Sequence, residues 1–188
     1  MVFNNLYTDY EEKLKFLGIK ASEHLLLANI DKQQIEHIYQ GESLKLYEMS
    51  SSKQPPSCIE DSLGTPWGLH NICDKIGGDQ PCGMVFEGRL PIGLTASECS
   101  REKQSRNLIT SRILRIDGLE KEVNRGGVVD TYNRYVYIHG TNHESNLGSP
   151  ASSGCLQMSN HCIIKLFNLI CINSHLYIQT DFNTGSLI

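Results

Sequence analysis

The chain has 188 residues, of which 39% are hydrophobic, and a formal net charge of −4. That length suits one domain with a short extension and a sizeable core. The mildly acidic balance, without any basic run, argues against nucleic acid or an anionic membrane as partner, since both demand a positive patch.

Thr8 and Glu11 have the spacing of a capping box, and Tyr10, Leu14 and Leu17 then recur at helical period until Gly18. The spacing predicts an N-terminal helix within a helical extension over residues 1–22, followed by the main domain over 23–188. From His24 the period changes. Leu25–Ile30, Gln34–Tyr39 and Ser43–Met49 are β-compatible segments broken by Asp31–Lys32 and Gln40–Gly41, which predicts two or three successive antiparallel strands. Ser50–Ser57, with Pro55 and Pro56, is a loop. Glycine and proline crowd residues 61–94, a sign of turns between short strands. Ile109–Leu119 and Arg134–Gly140 are the next strand candidates. Asn160–Ile170 returns to a helical stripe through Ile163, Phe167 and Ile170, and His175–Thr180 closes with a strand. The sum is a mostly β, single-domain protein with one or two helices.

No apolar stretch approaches the roughly 20 residues that span a bilayer, and the start lacks the basic region and cleavage site of a secretory signal. A cytoplasmic protein with a small soluble substrate, and no membrane partner, is therefore expected. Seven cysteines are present: Cys58, Cys73, Cys82, Cys99, Cys155, Cys162 and Cys171. Their number is odd and no two form a C-x-x-C pair, so a common zinc site is not expected and most read as small buried hydrophobes.

The chemistry concentrates in two segments. In Arg134–Gly140, alternation puts Tyr135, Tyr137 and His139 on one strand face, with Gly140 freeing the backbone just after the histidine. Sixteen residues after His139 comes Cys155, preceded by Ser152, Ser153 and Gly154 and leading towards a helix. A cysteine on a glycine turn near a helix N-terminus has N–H groups and a dipole that favour thiolate and can form an oxyanion hole. A histidine from a neighbouring strand completes a nucleophile–base pair. Taken singly, each element is more often structural: a satisfied histidine at a strand end, or an inert thiol. His139 and His143 are four apart, but the intervening Gly140, Thr141 and Asn142 read as loop rather than as a helix presenting two metal ligands. The glycines of 77–88 lack the Gly-Lys-Ser/Thr ending of a phosphate loop, and Trp67 and the tyrosines read as core or cleft wall. No cofactor is expected.

The joint pattern of Ile138, His139, Gly140, Thr141 and Asn142, then Gly148 through Ser152, Ser153, Gly154, Cys155, Leu156, Gln157 and Met158, resembles the active-site signature of the YkuD-type L,D-transpeptidase family. His24–Ser50 is similar to its opening strands, Gly64–Gly68 to its Gly-Thr-Pro thread-through segment, and Thr110–Leu114 to a middle strand. The resemblance covers roughly residues 23–180 and implies a YkuD-like β-sandwich. It implies Cys155 as nucleophile, His139 as base, the Gly140 carbonyl as orienter of the imidazole, and N–H groups of Gly154 and Cys155 as oxyanion hole. Tyr137, Thr141, Asn142, Ser152, Ser153 and Gln157 are then expected along the substrate. Ser153 and Gln157 stand where the family often has histidine and arginine; Arg112, Arg106 or Arg134 are the candidates to replace that arginine. The implied substrate is a muropeptide or peptidoglycan stem peptide, cut at the bond before its terminal D-amino acid. The absent export signal favours a cytosolic L,D-carboxypeptidase of murein recycling over an L,D-transpeptidase, with a non-catalytic wall-peptide module as a further alternative.

Overall fold

The computed structural model describes residues 2–180. Helix α1 (Asn4–Leu17) leads into an antiparallel meander of β1 (His24–Asn29), β2 (Gln34–Tyr39) and β3 (Glu42–Glu48). Then come β4 (Gly68–Ile76), the hairpin β5 (Met84–Glu87) and β6 (Leu90–Thr95), and the single-turn helix α2 (Arg101–Gln104). The chain finishes with β7 (Ile109–Gly118), β8 (Tyr137–Thr141), β9 (Leu156–Met158), α3 (Asn160–Leu169) and β10 (His175–Gln179). All ten strands join one sheet, in the order β3-β2-β1-β10-β4-β7-β5-β6, with β8 on β7 and β9 on β8.

Strand β7 explains the curl of this sheet, because it is paired with β4, β5 and β8 along its ten residues. Its register slips between Thr110 and Ile113, where Ser111 takes a left-handed backbone (φ 63°). A bulge of this kind bends the strand and lets it change partners. The curl wraps a core of Leu26, Ala28, Ile72, Leu114, Ile116, Ile138, Leu156 and Met158 around Ile163, Leu166 and Phe167 of α3. The single-domain, mostly β expectation is met, with two longer α-helices, one short α-helical turn and three 3-10 turns among the described residues.

The other face of β1 explains why Leu25–Ala28 is an unbroken apolar run. Leu25 and Leu27, with Ile38, Leu69 and Tyr177, pack against Phe3, Leu6, Tyr10 and Leu14 of the N-terminal segment. Helix α1 is thus docked on the sheet, and the Lys13–Glu120 ion pair (2.8 Å) and the Tyr10 hydroxyl on His175 Nδ1 (2.8 Å) fix it there. The helix starts four residues before the Thr8–Glu11 box. Thr8 lies inside it and donates to the Asn4 carbonyl, while the Val2 and Phe3 N–H groups donate to the Glu36 carboxylate (both 2.8 Å). A distant carboxylate has replaced the local cap, an arrangement that sequence spacing does not report. Gly18, left-handed at φ 65°, ends the helix as expected.

Two buried histidines make the fold sensitive to acid. His70 contacts the Gly68 carbonyl (3.0 Å) and the Thr131 hydroxyl (3.1 Å), and His37 lies against His24 (2.9 Å). Burial holds both His70 and His37 down to about 4. The unfolded chain therefore binds more protons below the ordinary histidine pKa of about 6.5. The stability they contribute is complete above that pH and is lost as pH falls towards about 4. The denaturant midpoint should drop between pH 7 and pH 5. His70→Gln should lose less than the parent over that window.

Candidate active site

Strands β8 and β9 run parallel, pairing Ile138 with Leu156, His139 with Gln157 and Gly140 with Met158. Side chains alternate, so the fully buried Ile138 and Leu156 enter the core while Tyr137, His139 and Cys155 take the other side. Cys155 falls beside Tyr137, one step along the same face from His139. Tyr137 and His139 share a face as the sequence predicts. Tyr135 does not belong to the strand, which starts at Tyr137 rather than Arg134. Residues 132–135 form a turn closed by the Tyr135 N–H on the Tyr132 carbonyl (3.2 Å), with Tyr135 left-handed at φ 57°. The Arg134 side chain reaches back to the carbonyls of Ser57 (2.9 Å) and Gly64 (2.8 Å) and so anchors the thread-through segment beside the site.

His139 is buried, and its Nδ1 lies 2.8 Å from the Gly140 carbonyl. A carbonyl only accepts, so Nδ1 carries the proton and Nε2 is the basic nitrogen. Burial holds the imidazole down to about 4, against the opposing effect of that carbonyl. Glycine is required at 140 by space: a Cβ would stand 2.6 Å from the Thr110 carbonyl oxygen and 2.9 Å from Asn160 Oδ1. Asn160 ties this corner together, since its side chain also accepts from the Ser111 and Thr110 hydroxyls and donates to the Thr141 carbonyl (2.9 Å).

The half-buried Cys155 Sγ accepts from the Tyr137 N–H at 3.4 Å. Burial pushes its thiol up to about 11, only partly offset by that N–H and the Arg134 charge. The helix expected to follow it starts at Asn160, with Ser159 capping the Cys162 N–H, because β9 intervenes. The dipole acts within the first turn, so it does little for this thiol. At rest the thiol and the imidazole are both neutral. Of the two expected oxyanion donors, Gly154 N–H is already bonded to Ser152 Oγ (3.2 Å), whose hydroxyl donates to the Cys155 carbonyl (2.6 Å). Cys155 N–H has no such acceptor among the described residues, and the left-handed Gly154 (φ 124°) sets its direction.

Several residues expected along the substrate are engaged inside the fold. Gln157 is buried and bonded to Asn107 (2.8 Å). The Thr141 hydroxyl accepts from the His143 N–H (3.1 Å), and Asn142 bridges Leu108 N–H (2.9 Å) and the Gln104 carbonyl (2.7 Å). Arg112 belongs to the α3 side of the core: it donates to the Gln80 carbonyl (2.7 Å) and lies over the Phe167 ring. Arg106 pairs with Glu102. Ser153 is exposed beside Cys155, and Ser152 is the buried brace of the turn just described. His143 Nε2 lies 2.9 Å from the Gln104 carbonyl, far from a shared ligand role with His139; no cluster of three potential metal ligands occurs among the described residues. What sequence reasoning missed is a pair of arginines. Arg89 donates to the Tyr137 hydroxyl (3.1 Å), and Arg115, opposite Tyr137 in the ladder, stacks on Tyr132. Only the pairing of β7 with β8 and the turn of the β5–β6 hairpin bring them there.

A thiol and an imidazole thus share one face where two parallel strands adjoin within a curled sheet. The chain belongs to the YkuD family of L,D-transpeptidase catalytic domains, whose model matches residues 23–178. The fold is shared with solved L,D-transpeptidases. The one from Mycobacterium smegmatis gives a TM-score of 0.50 at 19% identity, covering 84% of this chain and 58% of that one. That from Xylanimonas cellulosilytica gives 0.51 at 18% identity, covering 85% and 62%. L,D-transpeptidase 3 from Mycobacterium tuberculosis, solved with a faropenem-derived adduct, gives 0.52 at 12% identity, covering 84% and 60%. The chain thus spans about 60% of the length of that last structure. No curated protein matches the sequence.

Two outcomes follow from the geometry. Alkylation of Cys155 by iodoacetamide should rise steadily from pH 6 to beyond pH 9, following one ionisation near 11, without a plateau at neutral pH. Gly140→Ala should displace the β7–β8 corner, lowering stability by roughly 1–3 kcal/mol, the scale of an overpacked site, in chemical denaturation.

Proposed function

We propose that the protein is a cysteine-dependent L,D-carboxypeptidase that releases the terminal D-amino acid from peptidoglycan stem tetrapeptides in cytoplasmic murein recycling. The observation that carries this reading is the placement of Cys155 and His139 on one face of the β8–β9 pair, with the proton-bearing Nδ1 of His139 held by the Gly140 carbonyl, in a chain of this family.

In this mechanism the neutral pair sets the order of events. His139 Nε2 takes the thiol proton as Sγ attacks the carbonyl of the L-centred diamino residue, so thiolate forms only when it is consumed. The Gly140 carbonyl stabilises the imidazolium that results. Cys155 N–H faces the developing oxyanion. His139 returns its proton to the departing amine, leaving a thioester on Cys155 and a free D-amino acid. His139 then deprotonates a water molecule, which attacks the thioester carbonyl; the C–S bond breaks, tripeptide leaves, and His139 returns the proton to the Cys155 sulfur.

Water rather than a second stem as acceptor is supported by the thiols. All seven cysteines are free, and Cys82 and Cys171 are exposed. Such thiols persist where cellular reductants act, and there the available stems are small, released muropeptides. Transpeptidation is the second reading. It is favoured by the family itself and differs only in the amine that resolves the thioester.

Mass spectrometry of products from disaccharide-tetrapeptide separates the two: tripeptide with free D-alanine supports hydrolysis, and cross-linked dimer or an exchanged D-amino acid supports transfer. Cys155→Ser should abolish either product, and His139→Ala should lower the rate at least about 10²-fold, the scale of a lost general base. Cys162→Ala, at a half-buried side chain packed against the core, should retain turnover. A neighbour holds a faropenem-derived adduct. By the same chemistry a carbapenem should add its mass to the Cys155 peptide and leave Cys155→Ser unmodified.

A further inference from the structure

We propose that Arg89 and Arg115, held on tyrosine rings beside Cys155, form a carboxylate-binding subsite that selects stem peptides bearing a free carboxylate next to the scissile bond. The inference rests on the functional reading above and adds to it the feature of the substrate that is recognised.

Arg115 is only 8% exposed, yet no carboxylate pairs with it within 4.0 Å among the described residues, Asp117 feeling its charge only from farther off. Its guanidinium lies 3.4 Å from the Tyr132 ring centre and 5.5 Å from that of Tyr135. It donates one hydrogen bond, to the Tyr132 carbonyl (3.2 Å), and its buried Nε has no partner. Arg89, in the turn between β5 and β6, lies 4.9 Å over the Tyr135 ring and donates to the Tyr137 hydroxyl (3.1 Å). Tyr137 and Tyr135 are in turn the residues that touch the Cys155 sulfur, through the Tyr137 N–H and the Tyr135 carbonyl. The two guanidiniums are therefore one residue removed from the nucleophile.

Among the described residues neither arginine has a carboxylate within 4.0 Å, whereas Lys13, Lys103 and Arg106 each do. Asp117, two residues along β7 from Arg115, is outside that range. Aromatic faces attract a guanidinium but do not neutralise it, and a buried charge without a counter-ion is costly. The planar fork of arginine fits a carboxylate better than any other common anion in a peptide. Stem peptides supply that group in two places: the α-carboxylate of the terminal D-residue, and the side-chain carboxylate of a diaminopimelate-type residue. Either one flanks the bond to be cut. Its arrival would place a counter-ion beside the arginines at the moment the scissile carbonyl reaches Cys155.

The test has two independent parts. The first needs no substrate: the full chain is alkylated with iodoacetate and with iodoacetamide, and the Cys155 peptide is quantified. The anionic reagent should gain relative to a free thiol, and Arg89→Gln should lower the iodoacetate-to-iodoacetamide ratio about fivefold or more, as expected from losing a local cation. Arg89→Lys should largely restore it. The second part compares tetrapeptide with its C-terminal amide, and with its side-chain amide. The parent should prefer a free acid at one of the two positions by about tenfold or more in kcat/KM, and Arg89→Gln should narrow that preference mainly through KM. The amide that loses activity identifies which carboxylate is bound. Partly exposed Arg89 keeps the test open even if Arg115 variants fail to fold. An unchanged alkylation ratio together with an unchanged acid–amide preference in Arg89→Gln overturns the subsite while leaving the carboxypeptidase reading intact. A charge-selective Cys155 that turns over no tetrapeptide overturns the functional reading and leaves the anion site standing.

Discussion

The register between β8 and β9 is the constraint on which the site depends. Ile138 and Leu156 meet in the core, and because strand side chains alternate, that single pairing sends His139 and Cys155 to the same opposite face. A slip of one residue would drive the Cys155 thiol into the core and put Leu156 in its place. The register is held from three directions. Met158 and Leu156 are fully buried, Ser50 exchanges backbone hydrogen bonds with Gln157 on the far side, and Asn160 clamps the β7 bulge to the end of β8. The placement of His139 and Cys155 is thus inherited from core packing together with the Ser152–Gly154 turn.

Electrostatically the site is unusual for what it lacks. The thiol is raised and the imidazole lowered by the same cause, burial, so neither is charged at rest. The nearby permanent charges are positive: Arg134 is tied to loop carbonyls, and Arg89 and Arg115 rest on tyrosines. In the proposed reaction such surroundings would favour a bound anion and the thiolate that forms during attack, while leaving the free thiol slow to react.

Much of this was legible in the residues, for identifiable physical reasons. Strong local signals survived: the β1–β2–β3 meander with its Asp31–Lys32 and Gln40–Gly41 turns, the α3 stripe through Ile163 and Phe167, and the end of α1 at Gly18. Where a distant group took over a local role, the reading failed. Glu36 caps α1 in place of Thr8, the 132–135 turn shortens β8, and a short strand separates Cys155 from the helix that was expected to activate it. Gln157, Asn142 and Arg112, expected along the substrate, are each hydrogen-bonded inside the fold, to Asn107, Leu108 and Gln80, partners that no local spacing announces.

The sequence by itself determined the family and the mostly β character, and it singled out Cys155 and His139, since motif spacing and alternation are local properties of the chain. The tertiary structure decided what surrounds those residues. The neutral state of the pair comes from burial, the commitment of Gly154 N–H comes from Ser152, and the approach of Arg89 and Arg115 to Tyr137 comes from how β5, β7 and β8 meet. These are long-range consequences of one curled sheet, and no window of neighbouring residues contains them.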